Sequence, residues 1–586
     1  MGQGSKPMVG VSEDQRLHRY FVLLGVLSFV IMTAAVLVVY NNPMSGYEYS
    51  VYESTPLIFW LAVIFCQLTG ILLFYTYYGT KHKLWAVGLF EIILSNFVLI
   101  SLYLIKGFIY IERTDSLSYV GYAKDIFASG FFSASNFYPY ASIIMAMTGD
   151  IIGQGMILMS QIFPAIFFTA YTVGILCWSR TIIPKPMYVT SMMLASMPIF
   201  FAWFIPTLFN ETLSVLLLPL FFFVLWKCQS GDWRFKVPLV LFVIFFTIGH
   251  PLVAMFAIIF LAIVAVTEKV TAKKTRSVSI YMALFGFALL FGWIVFHSTL
   301  VVDLQNIIKE LMVLGEGTST FANASAQASE IGLLSTLQSV LVCTIDDLIY
   351  AVIALAAAVY VLRRGWRTHI MTVLVALFII GGVFLAGIVL FTYTHNPYRL
   401  INLDFIIIFT IPLVGFVLYT LRSGGRKNLH RLVSLVIVLC LVSTVYTVYQ
   451  DPNSRFPNAS VTKAETVGSN WLITDKSDDF TLFTVQTSPW RYTNLLYGAS
   501  YTRGEGSAIQ DNDITTGAHF SSFLNFNDTA TTAAYLVITT YEEMAYTKAW
   551  AATEKQTASD FQGLEYQRTV GHVYEGGDMT VYMRSR

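Results

Sequence analysis

Charge is what this chain has least of. Only 12% of its 586 residues are charged, about half the share usual in soluble domains, while 56% are hydrophobic. That composition excludes an ordinary water-soluble fold and points to a chain built into a bilayer. The net charge of +1 excludes the strongly basic balance of a nucleic-acid binder, so no nucleic-acid partner is expected. Cysteine is scarce too. Cys66, Cys177, Cys228, Cys343 and Cys440 all lie in or beside apolar runs and read as small buried hydrophobes. None lies in the polar C-terminal tail, which must therefore rely on its own core rather than on disulfides. The signatures of soluble enzymes are missing as well. The chain has no P-loop, no dinucleotide-binding glycine fingerprint, no His-Glu-x-x-His and no cysteine pair at zinc spacing. Any chemistry must come from carboxylates and basic groups at the membrane surface.

What the chain does have is long apolar runs. A spanning helix needs about 20 mostly apolar residues, and about thirteen candidate spans recur before position 450. They fall at 20–40, 56–78, 84–105, 155–178, 187–205, 209–226, 237–249, 251–266, 278–296, 340–362, 370–391, 401–421 and 432–448. The first is longer than a signal-peptide core and is followed by no clear cleavage site, so it reads as an anchor. Lys and Arg collect in alternate gaps: around Arg16 and Arg19, Lys81 and Lys83, Arg180 and Lys185, Lys227 to Lys236, Lys269 to Arg276, Arg363 to Arg367, and Arg422 to Arg431. By the positive-inside rule these gaps are cytoplasmic, as is the N-terminus, and the tail is outside. The alternation holds only if the chain breaks at His250-Pro251. Proline interrupts a helix there and gives two short helices that turn near the outer leaflet beside a cavity.

The expected fold is thus an α-helical polytopic membrane protein, 1–449, followed by a small exterior α/β domain, 450–586. Two further exterior pieces are 106–154 and 297–339. In the latter, Leu304, Ile307, Ile308 and Leu311 recur at the spacing of an interfacial helix. The tail shows short strand-like runs at 471–474, 480–485, 534–540 and 579–583.

Asp115 leads the candidate site residues. It follows Arg113 just outside the third run and opens an amphipathic stretch. As a helix N-cap it would accept a bond from first-turn amides; as a catalytic carboxylate it would face the outer surface. Asp125 lies ten residues on, about 15 Å along a continuous helix, so the two are not a dyad and cannot share a metal. Beside Lys124, Asp125 reads as a solvated or locally paired charge. Arg399, in His395-Asn396-Pro397-Tyr398-Arg399, runs against the positive-inside bias and calls for a partner. That partner is Asp404 or an anionic ligand such as a lipid phosphate, whose oxygens suit the guanidinium fork. Asp346, Asp347, Glu91 and His250 are ionisable groups at membrane depth, where such groups face a cavity or a partner. With Tyr138, at the Tyr138-Pro139-Tyr140 break, most of these compose an outer site at membrane level.

These residues resemble those of a known family. Asp115-Ser116-Leu117-Ser118-Tyr119-Val120-Gly121-Tyr122-Ala123, followed by Asn136-Phe137-Tyr138-Pro139, is similar to the first exterior loop of the GT-C glycosyltransferases. Pro397-Tyr398-Arg399-Leu400 resembles their late arginine segment, and Val573 to Tyr582 a hairpin closing the tail of archaeal members, in the superfamily of the protein mannosyltransferases. The resemblance implies a membrane enzyme that uses a polyprenyl-phosphate-linked sugar donor and a glycan, protein or lipid acceptor, among membrane lipids. It implies that Asp115 is the base for the acceptor hydroxyl, that Arg399 holds the donor phosphate, and that transfer inverts the anomeric centre. Arg113, Asp125, Tyr138, His250, Asp346, Asp347 and Asp404 would line the substrate site. A divalent cation is compatible with this set, and no other cofactor is called for. The chain departs from the family in placing the loop after its third span, in lacking Trp-Trp-Asp in the tail, and in lacking the adjacent acidic pair of protein mannosyltransferases. The second departure argues against an oligosaccharyltransferase catalytic subunit. Competing readings are a secondary transporter built on the His250-Pro251 break, with no second broken helix in view, and a non-catalytic receptor or assembly protein. Sequons begin at Asn210, Asn323, Asn458 and Asn527, all on the expected outside.

Overall fold

The computed structural model describes residues 13–584 except 135, 201, 271–277, 298–300, 303–304, 306–332, 365–368, 392–403, 453–455, 477–480, 502–510, 514–533, 552–554 and 568–569. Every apolar run expected to span contains a helix. Among the described residues, eight helices are long and apolar enough to cross a membrane, from Gln15–Tyr40 to Lys427–Val445. The pair Asn210–Leu216 and Leu218–Gln229, bent by 44°, makes nine if it is one span. Other runs give shorter helices, among them Leu84–Ile100, Pro186–Ala195 and Lys236–Gly249. The chain is a multi-pass helical membrane protein. Its surface agrees: Leu23, Val26, Phe29 and Leu37 on the first helix, and Leu284, Phe287 and Phe291 on Val278–Phe296, are exposed. Large apolar side chains in such rows belong against acyl chains rather than water.

Small residues set the closest helix contacts, as expected where lipid offers no hydrophobic drive to pack. Leu57–Tyr77 and Leu84–Ile100 meet at Gly70 and Gly88. The break at 250 is present. His250 is extended (φ −164°, ψ 127°), ends Lys236–Gly249, and hands over to Pro251–Val270, which packs back on it. The bend at Leu217 is a second interruption that the sequence reading passed over; Pro219 in the first turn of the following helix is its signal. The two interruptions are neighbours in the chain, not counterparts in two related halves.

The C-terminal part holds a five-stranded sheet in the order β2-β1-β3-β5-β4, with β1 Thr481–Thr484, β2 Asp511–Asp513, β3 Ala534–Thr539, β4 Val570–Gly576 and β5 Met579–Arg584. β1 pairs in parallel with β2 and β3, and β5 runs antiparallel to β3 and β4. β3 is buried along its whole length. Ala534, Leu536 and Ile538 pack one way with Phe561 and Leu564, whereas Tyr535 and Val537 pack the other way with Leu472. That period-two split makes an α/β sandwich with a helix on each face. The expected hairpin is present, turning at Gly577 with φ +63°. The strand expected at 471–474 is instead the end of the helix Lys463–Asp475. Thr462 caps that helix by accepting the Glu465 amide, a Thr-x-x-Glu start signal that outweighs the β preference of Trp471-Leu472-Ile473. The interfacial helix expected near Leu304 to Leu311 lies outside the described residues.

A β-carbon at Gly88 would lie 2.5 Å from the Gly70 carbonyl oxygen and 2.6 Å from the Phe74 nitrogen. Gly88→Val is therefore expected to destabilise the helix pair by about 1–3 kcal/mol, read as a lower thermal unfolding midpoint in detergent. An unchanged midpoint would contradict the close packing.

Candidate functional site

The chain leaving the helix at Leu102–Lys106 is fastened to the start of the tail before any site residue appears. Val461 pairs antiparallel with Tyr110, and its amide donates to the Tyr110 carbonyl at 2.9 Å. The buried side chain of Asn458 accepts from the Tyr103 hydroxyl at 2.7 Å and donates to the Glu48 carbonyl at 2.9 Å. Arg113 follows. One of its nitrogens donates to the Glu465 carboxylate at 2.7 Å and to the Ser460 carbonyl at 2.6 Å; the other donates to the Tyr492 hydroxyl at 2.9 Å. The guanidinium also stacks 4.3 Å from the Tyr541 ring centroid. Burial opposes its charge, yet Glu465 and Tyr492 hold its pKa above the ordinary value. Arg113 is thus a buried bolt between two parts of the chain.

This bolt sets the start of the helix Asp115–Ser129. Glu112, which the sequence reading passed over, accepts the amides of Thr114 at 2.7 Å and Ser116 at 3.0 Å, together with both their hydroxyls. Burial raises its pKa, and the bonds from Ser116 and Thr114 oppose that rise. Glu112 therefore satisfies the Ser116 amide in the first turn, and Thr114, not Asp115, holds the cap position. Asp115 is left pointing outward, its side chain 61% exposed, with Oδ1 accepting from Arg491 at 2.6 Å. Arg491 lies on the tail helix Pro489–Tyr497 beside Trp490, 4.8 Å from the indole centroid. Nothing short-range in the sequence pairs Arg491 with Asp115.

Further along, the same two helices touch at Gly121, where a β-carbon would lie 2.6 Å from the Asn494 carbonyl oxygen. Lys124 donates to the carbonyls of Leu495 and Leu496 at 2.5 and 2.8 Å, capping the C-terminus of Pro489–Tyr497 with positive charge. Asp125 accepts from the Ser500 amide and hydroxyl at 2.7 and 2.8 Å. Lys124 and Asp125 are thus anchors to the tail rather than a local pair. Asp115 and Asp125 stand at opposite ends of one continuous helix with different partners, so they do not fit a shared divalent cation. Among the described residues, no group of three or more His, Cys, Asp or Glu could hold a metal ion.

Beneath Asp115 lies an aromatic floor. Buried Tyr119 interacts with Asp115, Tyr138 and Glu112 and bonds with Asn210, and burial raises its pKa. Asn210 donates to the Tyr138 carbonyl at 3.0 Å and accepts the Ala141 amide at 3.1 Å, fixing the turn into Pro139–Ile152. Tyr138 stacks on His250, with centroids 4.5 Å apart and planes 17° from parallel. The structure therefore brings Asp115, Tyr138 and His250 into one region and adds Arg491, Tyr119, Glu112 and Asn210.

Asp346 and Asp347 lie elsewhere, on Leu333–Arg364 beside Cys343 and Cys440. Among the described residues, none of their contacts reaches the Asp115 group. Glu91 accepts from Ser28 at 2.7 Å within the packing of the first helices. Arg399 lies outside the described residues, as does the Asp404 side chain. All five cysteines are free. Of the sequons, Asn210 and Asn458 are buried and bonded, which closes them to modification in the folded chain; Asn323 and Asn527 lie outside the described residues.

No family model and no curated protein matches the chain. Several solved structures are similar in layout, among them these three. One is an oligosaccharyltransferase from Archaeoglobus fulgidus tethered to an acceptor peptide with an Asn-Val-Thr sequon; it is 12% identical, with a TM-score of 0.48, over 86% of this chain and 74% of that one. The others are ArnT from Cupriavidus metallidurans. Bound to undecaprenyl phosphate, it is 10% identical, with a TM-score of 0.48, over 85% and 98%. In its apo state it is 12% identical, with a TM-score of 0.46, over 85% and 97%. These proteins are GT-C glycosyltransferases.

Removing one member of a buried ion pair strands the other, at a cost of about 3–5 kcal/mol. Arg113→Met should therefore make the C-terminal part far more sensitive to limited proteolysis, and Arg113→Met with Glu465→Leu should be milder than Arg113→Met alone. Equal protease resistance in wild type and Arg113→Met would contradict the assigned role.

Proposed function

We propose that this chain is a GT-C-type glycosyltransferase. It moves a sugar from a polyprenyl-phosphate donor to an acceptor hydroxyl at the outer face of the membrane. Its N-terminus is cytoplasmic and its C-terminal domain, 450–586, is outside. The observation that carries this reading is the Asp115 carboxylate. It is 61% exposed in the first turn of its helix, outside the cap position that Thr114 holds, and faced by the Arg491 guanidinium. A general base must be reachable by the hydroxyl it deprotonates, and this one is. The acceptor oxygen bonds to the anomeric carbon as the carbon–phosphate oxygen bond breaks. The hydroxyl proton passes to Asp115, and the lipid phosphate leaves with the bonding electrons. Attack opposite the leaving group inverts the anomeric centre. Arg399 neutralises the phosphate as charge develops on it. Tyr138 and His250 form an aromatic wall on which a sugar face can rest. The acceptor is a glycan, protein or lipid hydroxyl.

Loss of a general base slows a reaction by about 10²–10⁴-fold. Asp115→Asn should show that loss with labelled polyprenyl-phosphate sugars in liposomes, while its thermal unfolding stays close to wild type because the side chain is largely exposed. An Asp115→Asn protein with wild-type turnover would end the assignment.

A further inference from the structure

The polar ties between 106–154 and the tail are of two kinds. Arg113, Glu465, Asn494 and Ser118 are buried. The Asp115–Arg491 pair is not. Its side chains are 61% and 21% exposed, and Arg491 donates one hydrogen bond, through one terminal nitrogen. The rest of the guanidinium fork has no protein acceptor among the described residues, and its carbon lies 4.8 Å from the Trp490 ring centroid. A guanidinium fork matches two oxygens of a phosphate, whereas Asp115 engages it through one. An exposed ion pair is weakly held, so a phosphate arriving from the membrane can displace the carboxylate.

From this we infer that Arg491 is a phosphate-binding residue for the lipid-linked donor, held by Asp115 until the donor arrives. The inference rests on the glycosyltransferase reading and adds an order of events to it. While Arg491 sits on Asp115, that carboxylate oxygen is occupied by the guanidinium. When the donor phosphate takes Arg491, Asp115 loses its cation and becomes available as the base. Donor binding thus precedes base activation, and an acceptor that arrives first meets an occupied carboxylate. The cation released from the base joins Arg399 in meeting the charge that develops on the leaving phosphate.

The test is binding of undecaprenyl phosphate, without sugar, to the full chain in phosphatidylcholine nanodiscs, with undecaprenol as the uncharged control. Arg491→Ala should weaken binding about tenfold, the scale of one charged hydrogen bond, and Arg491→Lys should recover part of it. Asp115→Asn should bind undecaprenyl phosphate roughly two- to fivefold more tightly than wild type, because the competing carboxylate is gone. A merely structural pair would instead make Asp115→Asn and Arg491→Ala equally weak. That result, or unchanged binding in Arg491→Ala, overturns the proposal and leaves the glycosyltransferase reading standing. No binding of undecaprenyl phosphate to wild type overturns both. Undecaprenol binding should be the same in all four proteins, which separates loss of the phosphate contact from loss of fold.

Discussion

The site depends on one buried ion pair. Arg113 reaches from the end of the third apolar run to Glu465 and Tyr492 in the tail, more than 340 residues away in the chain. Its interior position makes the pair expensive to form, since both charges leave water, so its contribution lies in alignment more than in net stability. With Arg113 fixed, Glu112 can close the first turn of Asp115–Ser129, and the tail helix Pro489–Tyr497 can lie along that helix with Gly121 against Asn494. The hydrophobic core follows the same seam, because Tyr492 and Leu495 of the tail belong to the cluster that runs through the membrane helices.

Rigidity and exposure are divided along this seam. Buried contacts carry alignment, and the exposed end of the helix carries the carboxylate. An enzyme that brings together a lipid-borne donor and a separate acceptor needs a base that is held in place yet open to both. Thr114 holds the cap position and Glu112 takes the Ser116 amide, which leaves the Asp115 carboxylate outside the cap. The aromatic contact between Tyr138 and His250 joins two residues that each precede a proline opening a helix.

Much of the architecture was legible because its signals are local. Apolar runs report helices by length alone, and Pro251 reports the break at His250. β1, β3 and β5 were also readable from short apolar stretches, and the terminal hairpin followed from the resemblance carried by residues Val573 to Tyr582. Trp471-Leu472-Ile473 misled because three β-favouring residues were given more weight than the Thr462 cap that starts the helix. The site was legible only in part. Asp115 announced itself as an acidic residue opening a helix outside a span. Arg491 did not, because its pairing spans 376 residues and an arginine in a polar tail carries no local mark. Arg113, Lys124 and Asp125 read as surface charges or site residues, and their use as anchors depends on a tail helix that sequence spacing does not place.

The central claim is that this protein moves a lipid-linked sugar to a hydroxyl. The direct measurement is release of free polyprenyl phosphate by the purified wild-type protein in liposomes, from a panel of polyprenyl-phosphate monosaccharides, with and without candidate acceptors. The account predicts release that depends on both the sugar donor and an acceptor, with the sugar recovered on the acceptor in inverted configuration. No release from any donor, or a sugar recovered with retained configuration, would contradict it.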